Sequence, residues 1–352
     1  MKILITGGAG FVGSSIANHL KLNNPSLQIC CFDNLIRYGS KINIEILKKN
    51  NINFIKGDIR KIKNLKAVDN FDLMIECAAE ASVMSSKNSK YKYLIDTNLI
   101  GTINCLQVCK ERNAKFLFLS SSRVYPINIL NSLSFKELKT RFELKDQINI
   151  VGACSKGVSE ELSISGNRSL YGASKLASEI IINEFNFSFG LETIINRCGM
   201  IAGPGQFGKE DQGVITYWLT SHYWKKPLKY IGYGGSGKQL RDVLNIRDLC
   251  ELIELQIKDF GKFNNNTFNV GGGDFTISLK ELTKYCSELT GNKLKIKTEK
   301  IERFGDVRIY KTNNNKISTF SKWKPKRDVK QTLMETYKWL IKNERQLKLI
   351  FK

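Results

Sequence analysis

Apolar residues recur along the first two hundred positions in two alternating patterns. Short, nearly continuous apolar blocks at 2–6, 28–32, 53–55, 72–77 and 116–120 read as buried strands. The segments near 14–20, 41–50, 61–67 and 97–112 repeat their apolar positions at helical spacing instead. Strand followed by helix followed by strand requires a crossover, so the pattern predicts an α/β fold: a doubly wound parallel sheet with helices on both faces. Such a sheet takes ligands at the carboxyl ends of its strands, where the strand order reverses.

The rhythm breaks at residues 126–168, which are polar, mixed in charge and contain Gly152, Gly157 and Gly166. This stretch reads as a long insertion or lid, the kind of loop that often carries function. A helix over 170–189 and a strand over 191–196 follow. Past 197 the alternation loosens around Gly203-Pro204-Gly205 and Gly232 to Gly237. The expected division is a first domain over 1–196 and a smaller lobe over 197–352, with part of 240–272 returning to the first domain. A late helix over 329–343 carries Leu333, Tyr337 and Leu340 on one face.

Composition narrows the class. In 352 residues, 42% are hydrophobic and 25% charged, a globular balance that excludes global disorder. No run approaches the ~18 apolar residues a membrane helix needs. Only three apolar residues, Ile3, Leu4 and Ile5, precede the first glycines, so a cytoplasmic protein is expected. Nine cysteines without a CxxC pair, and two histidines, leave zinc without its usual ligands and predict reduced, buried thiols. The net charge of +22 attracts polyanions, but the lysines are scattered from Lys21 to Lys352 rather than gathered in a stripe. No nucleic-acid module is present, and an anionic small substrate fits the charge better.

The first chemical signal is Gly7-Gly8-Ala9-Gly10-Phe11-Val12-Gly13, a GxxGxxG run that leaves the first strand and opens the first helix. Glycines there permit a tight turn and let backbone amides approach a diphosphate, which the positive end of the helix favours. Gly7, Gly10, Phe11, Val12 and Gly13 are therefore candidate cofactor contacts. Asp33 ends the second strand 20 residues after Gly13. A carboxylate at that place accepts both hydroxyls of an adenosine ribose and repels a 2′-phosphate, so NAD is expected in preference to NADP. Asn34 follows it at the same edge, and Arg37 reads as a surface arginine.

The second signal is Tyr171-Gly172-Ala173-Ser174-Lys175, a YxxxK spacing that puts phenol and ammonium on one helical face. An unperturbed phenol, with a pKa of about 10, is a poor base at neutral pH. An ammonium about 4 Å away at an effective dielectric near 20 favours the phenolate by ~4 kcal/mol, enough to bring it into working range. Taken alone, this spacing also suits an ordinary amphipathic helix. The strand at 116–120, however, runs into Ser120-Ser121-Ser122-Arg123-Val124-Tyr125, which puts hydroxyls at a strand end where a site is expected.

Together with Asp58-Ile59 and with Asn98 in Thr97-Asn98-Leu99-Ile100-Gly101-Thr102, these motifs resemble the extended short-chain dehydrogenase/reductase family of nucleotide-sugar epimerases and dehydratases, built on a Rossmann-type sheet with a smaller substrate-binding lobe. The resemblance spans nearly the whole chain. It implies Tyr171 as catalytic base, Lys175 as its partner and ribose anchor, and Ser121 as the hydroxyl that orients a sugar. It implies Asp58 and Ile59 beside adenine, Ala78 and Ala79 along the cofactor diphosphate, and Asn98 in the cofactor site. Residues 120–126 and the segments 196–204 and 206–213 look most like enzymes that invert carbon 2 of a CDP-linked dideoxyhexose. That likeness makes Ser122, Arg123, Gln206, Lys209 and Gln212 substrate contacts. Arg241, before Asp242 and Asp248, resembles the arginine brought to a nucleotide diphosphate, a group its fork suits. A surface ion pair is the other reading of Arg241. Met200 stands where many members carry a sugar-binding Asn, and Glu76 where many carry His. A homodimer or homotetramer is implied, with helices near 97–112 and 170–189 as the expected contacts. A 4,6-dehydratase, a net dehydrogenase or reductase, and a non-catalytic NAD-binding scaffold are the alternatives.

Overall fold

The computed structural model describes every residue except 38, 83–90, 211 and 352. The chain divides into two compact units. The first comprises Met1–Val124, Leu170–Arg197 and Cys250–Thr267. Its elements begin with β1 (Lys2–Thr6), α1 (Phe11–Asn23), β2 (Gln28–Asp33), α2 (Ser40–Lys49), β3 (Asn53–Lys56), α3 (Ile62–Lys66) and β4 (Leu73–Glu76). Then come α4 (Tyr91–Ile95), a π-helical turn over Asp96–Ile100, α5 (Gly101–Glu111), β5 (Lys115–Ser121), α6 (Leu170–Phe189), β6 (Thr193–Cys198) and β7 (Asn266–Val270).

The strands form one seven-stranded sheet in the order β7-β6-β5-β4-β1-β2-β3. β1 pairs in parallel with β2 and β4, β2 with β3, and β4 with β5. The chain winds outward from β1 to β3 and then returns to β4 on the other side of β1. The switch point, where a ligand crevice opens, therefore lies between β1 and β4. β1, β4, β5 and β6 are buried on both faces, which is why their apolar runs are continuous rather than alternating, while the edge strand β3 is largely exposed. Leu4, Phe32, Met74, Phe116 and Phe118 belong to one core cluster with Cys105, Leu106 and Val108 of α5 and Ile182 of α6.

The segment expected as a helix over 97–112 begins as the π-turn. Gly101 donates its N–H five residues back, to the carbonyl of Asp96. A β-carbon at Gly101 would lie 2.5 Å from the Ile59 side chain, so glycine is what lets this helix lie against the β3–α3 connection. α6 is built in the opposite sense to an ordinary amphipathic helix. Its buried stripe is Tyr171, Ser174, Lys175, Ser178, Glu179 and Ile182, mostly polar, and it is stable because these groups find partners. Glu179 forms a forked pair with Arg197 of β6, at 2.7 Å from Nη2 and 3.0 Å from Nε, and also accepts the Ser120 hydroxyl of β5.

The second unit comprises Tyr125–Ser169, Cys198–Leu249 and Phe268–Lys352. Strand Leu240–Asn245 is its centre, parallel to Met200–Ala202 and Ile309–Tyr310 and antiparallel to Thr276–Ser278. Ala202, Trp218, Leu219, Val243, Ile277, Leu282 and Leu333 form its core. Residues 126–168 carry a helix over Ile127–Ser132 and two small hairpins, Phe135–Glu137 with Phe142–Leu144 and Ala153–Cys154 with Gly157–Val158. Leu130, Leu133, Phe142, Leu144, Val158 and Leu162 are buried there. Arg141 ties the first hairpin to Glu281 through a bidentate pair at 2.6 and 2.8 Å. All nine cysteines are free thiols, and no helix among the described residues is long and apolar enough to cross a membrane.

The Glu179–Arg197 pair is nearly dry, with side chains 3% and 9% exposed. Removing one partner strands a buried charge. Glu179→Ala is expected to destabilise the protein by roughly 3–5 kcal/mol, and the double change Glu179→Leu with Arg197→Met to recover most of that loss. Thermal or urea unfolding of both variants checks this; a single variant as stable as the parent contradicts it.

Candidate active site

The backbone of the loop after β1 is tightly constrained. Gly7 has φ +65°, and a β-carbon on it would sit 2.7 Å from the amide nitrogen of Ala78 and 2.8 Å from the carbonyl carbon of Cys77, just past β4. A β-carbon on Gly13 would meet the Gly7 carbonyl oxygen at 2.4 Å. Gly10 caps α1 with extended backbone, no side chain caps that helix, and no acidic residue occupies its first turn. The positive end of α1, opened by Phe11 and Val12, is thus left for an anion at the switch point. Ala78 and Ala79 lie on the loop that faces these glycines.

Asp33 sits beside the glycine loop. Its carboxylate accepts the N–H of Ala9 at 3.1 Å and of Leu35 at 2.8 Å, one on each oxygen. Burial raises its pKa, opposed by these amides, the amide of Gly10 and the Arg37 cation. Arg37, expected as a surface residue, is paired with Glu80 at 3.2 Å. Asn34 donates to Asp58 at 3.3 Å, and Asp58 is held below the usual carboxylate range chiefly by hydrogen bonds from Arg60. Ile59 is buried beside it. Asn98 clamps the loop after β4: its amide accepts the Glu80 N–H at 2.8 Å and donates to the Glu80 carbonyl at 3.0 Å and to Ser174 Oγ at 3.1 Å.

β5 and α6 bring the second group of residues together. Ser121 closes β5, and its hydroxyl accepts the Arg123 N–H at 3.2 Å, folding Ser122-Arg123-Val124 into a 3-10 turn. Tyr171 and Lys175 lie on the buried stripe of α6, 9% and 2% exposed. Lys175 Nζ donates to the Leu119 carbonyl at 2.9 Å and lies 4.2 Å from the centroid of the Phe118 ring. The ammonium is thereby fixed at the carboxyl end of β5, two residues before Ser121. Ser174 and Ser178 brace the same helix turn, Ser178 donating to the Asn98 carbonyl at 2.7 Å.

The four remaining candidates belong to the second unit. Gln206 spends both ends of its amide internally, donating to the Ile201 carbonyl at 2.8 Å and accepting the Thr216 hydroxyl at 2.7 Å. Lys209 and Gln212 pair through their backbones, at 2.7 and 3.0 Å. Arg241 forms an ion pair with Asp306 at 2.7 Å and donates to the carbonyls of Leu240 and Val307. Two features were not legible in the sequence: a network, and the surroundings of Glu76. One is the buried Ser120–Glu179–Arg197 network that joins β5, α6 and β6. The other is Glu76, fully buried at the end of β4, whose carboxyl is pushed up to about 7 by burial against the opposing Lys175 charge and the Thr102 hydrogen bond. Among the described residues no group of three or more His, Cys, Asp or Glu could hold a metal.

A glycine loop at the switch point, Asp33 at the end of β2 and a YxxxK helix stand on one doubly wound sheet. A profile of the NAD dependent epimerase/dehydratase family matches residues 3–271, and the chain belongs to that family. It is similar to the CDP-paratose 2-epimerase of Salmonella typhi, 28% identical over 96% of this chain and 99% of that protein. It is also similar to the dTDP-glucose 4,6-dehydratase of Salmonella typhimurium, 27% identical over 97% and 93%. Among solved structures, the dTDP-glucose 4,6-dehydratase of Bacillus anthracis in complex with NAD superposes with a TM-score of 0.77, covering 99% of each chain at 25% identity. The chain is an NAD-dependent enzyme of this nucleotide-sugar class.

Gly7→Ala tests the glycine loop. The new β-carbon strains a left-handed residue and presses on the Cys77–Ala78 backbone, a cost of about 1–3 kcal/mol that weakens NAD binding roughly ten- to hundredfold. Calorimetric titration of NAD measures it, with far-UV circular dichroism as the check on folding; unchanged affinity contradicts the assignment.

Proposed function

We propose that this protein epimerises a nucleotide-diphosphate sugar through a transient ketone, inverting carbon 2 of a CDP-3,6-dideoxyhexose, with Tyr171, Lys175 and Ser121 as its catalytic groups. The observation that carries the reading is the buried ammonium of Lys175, anchored on the Leu119 carbonyl at the strand end that presents Ser121 and one helical turn from Tyr171. NAD, when bound, supplies a hydride acceptor that returns the same hydride and is not consumed. Tyr171 takes the proton of the sugar hydroxyl as the carbinol is oxidised and gives one back when the ketone is reduced. Lys175 stabilises the phenolate form between these transfers, because its charge acts across a dry, low-dielectric space. Ser121 holds the oxygen that alternates between hydroxyl and ketone.

The finer substrate assignment is supported by the likeness to CDP-paratose 2-epimerase, which runs the length of both chains. The dehydratase alternative, raised by the second relative, is countered by chemistry. Dehydratases of this family carry Asp-Glu directly after the orienting hydroxyl, as the acid and base that expel water. Here Ser122-Arg123 occupies those places, and a guanidinium does not deprotonate in the working range. In this reading Ser122, Arg123, Gln206, Lys209, Gln212 and Arg241 serve the substrate side. Gln206 does so as a brace for its loop, and Arg241 is held by Asp306 until a diphosphate offers a better anion. Asp33, Asn34, Asp58, Ile59, Asn98 and the glycine loop serve the cofactor side.

Incubation with CDP-, UDP-, GDP- and dTDP-sugars in deuterated buffer, followed by NMR, tests the proposal. A CDP-sugar inverted at carbon 2, with no deuterium at that carbon, is expected. Tyr171→Phe lowers this turnover by roughly 10²–10⁴-fold while NAD stays bound. Deuterium at the inverted carbon, loss of water from the sugar, or full activity in Tyr171→Phe overturns it.

A further inference from the structure

Glu76 is an acid where the fold has little use for one. It is 0% exposed at the last position of β4, in register with Thr6 of β1 and Phe118 of β5. Thr102 donates to its Oε1 at 2.7 Å, whereas its Oε2 is buried with no hydrogen-bond partner among the described residues. A dry carboxylate with one bare oxygen is costly, and the ordinary remedy is to carry a proton. The groups facing it from the packed elements are Thr102, Cys105 and Cys109 from α5 and Lys175 from α6. Burial holds both thiols well protonated, with Cys105 also hydrogen-bonded to the carboxyl, so Lys175 is the charge that Glu76 feels. Phe118, whose ring lies under the Lys175 ammonium, is the β5 residue paired with Glu76, so acid and amine occupy neighbouring positions of the same sheet edge.

We propose that Glu76 is a positioning residue that tunes Lys175: by taking up and releasing a proton beside the ammonium, it sets how much of that charge reaches the Tyr171 phenol. Protonated, Glu76 is neutral and leaves the ammonium unopposed, and the phenol is at its most acidic. Ionised, it cancels part of the field and the phenol becomes harder to deprotonate. The two acids therefore titrate as a coupled pair rather than independently. The device rests on the proton-relay reading above, but its test needs no sugar substrate.

The test uses the NAD-bound protein and two neutral variants, Glu76→Gln and Glu76→Met. Phenolate absorbance, taken as the difference between each chain and its Tyr171→Phe counterpart, is followed against pH. In both variants the Tyr171 midpoint is expected to move down by about 1 unit, because an opposing charge has been removed. Infrared difference spectra of the parent against each variant are expected to show a protonated carboxyl band that fades near neutral pH. Stability gives a third reading. The folded protein holds this proton more tightly than the unfolded chain, so the parent loses stability as pH rises from the ordinary glutamate range to about 7, and the variants lose that slope. An unmoved Tyr171 midpoint, or no titrating carboxyl band, overturns the proposal. Absence of epimerised product with the spectroscopic shifts intact would instead refute the reaction assigned above and leave the Glu76–Lys175 coupling standing.

Discussion

A lysine ammonium withdrawn from water has to be compensated, and in this protein the compensation of Lys175 organises the surrounding structure. The cation lies 2% exposed, bonded to the Leu119 carbonyl, above the Phe118 ring and within reach of the Glu76 charge. Two of these partners come from β5 and the third from the end of β4, so the amine is satisfied only when β4, β5 and α6 are in their native places. What makes the amine expensive to bury also makes it effective, since its field acts on nearby groups through protein rather than through water. The helix that carries it accepts a polar buried stripe for the same reason, with Ser174, Ser178 and Glu179 each tied to a neighbouring element.

The glycine loop rests on a different constraint, the close approach of two backbone segments at the β1–β4 switch point. Gly7 and Gly13 leave no room for side chains, which brings the start of α1 to the loop that leaves β4. The same loop that faces the glycines is clamped by Asn98, whose carbonyl and amide also engage Ser178 and Ser174 of the YxxxK helix. The loop after β4 and the YxxxK helix are therefore braced by one buried asparagine.

Much of this was legible in the amino-acid sequence. The central strands of the first unit read clearly because both faces of the sheet are covered there, and the turn at the glycine run read clearly because a positive φ and close backbone approach favour glycine. Other parts were hidden for physical reasons. The 126–168 segment shows no period because its strands are two or three residues long, although it buries six apolar side chains. The π-turn before α5 depends on a carbonyl reaching five residues on, which leaves no trace in hydrophobic spacing. Gln206 and Arg241 matched a motif, but their present partners, Thr216 and Asp306, are chosen by folding. Glu76 could be seen as an acid in an apolar strand. That it meets Lys175, 99 positions away in the chain, could not.

The central claim is that the Lys175 charge makes Tyr171 a stronger acid. It is tested most directly by NMR titration of protein labelled with ¹³C at the tyrosine ζ position, with NAD bound, in the parent and in Lys175→Met. The account predicts a Tyr171 resonance that titrates well below the ordinary value of about 10 in the parent and returns towards it in the variant. A Tyr171 midpoint at the ordinary value in both proteins would contradict it.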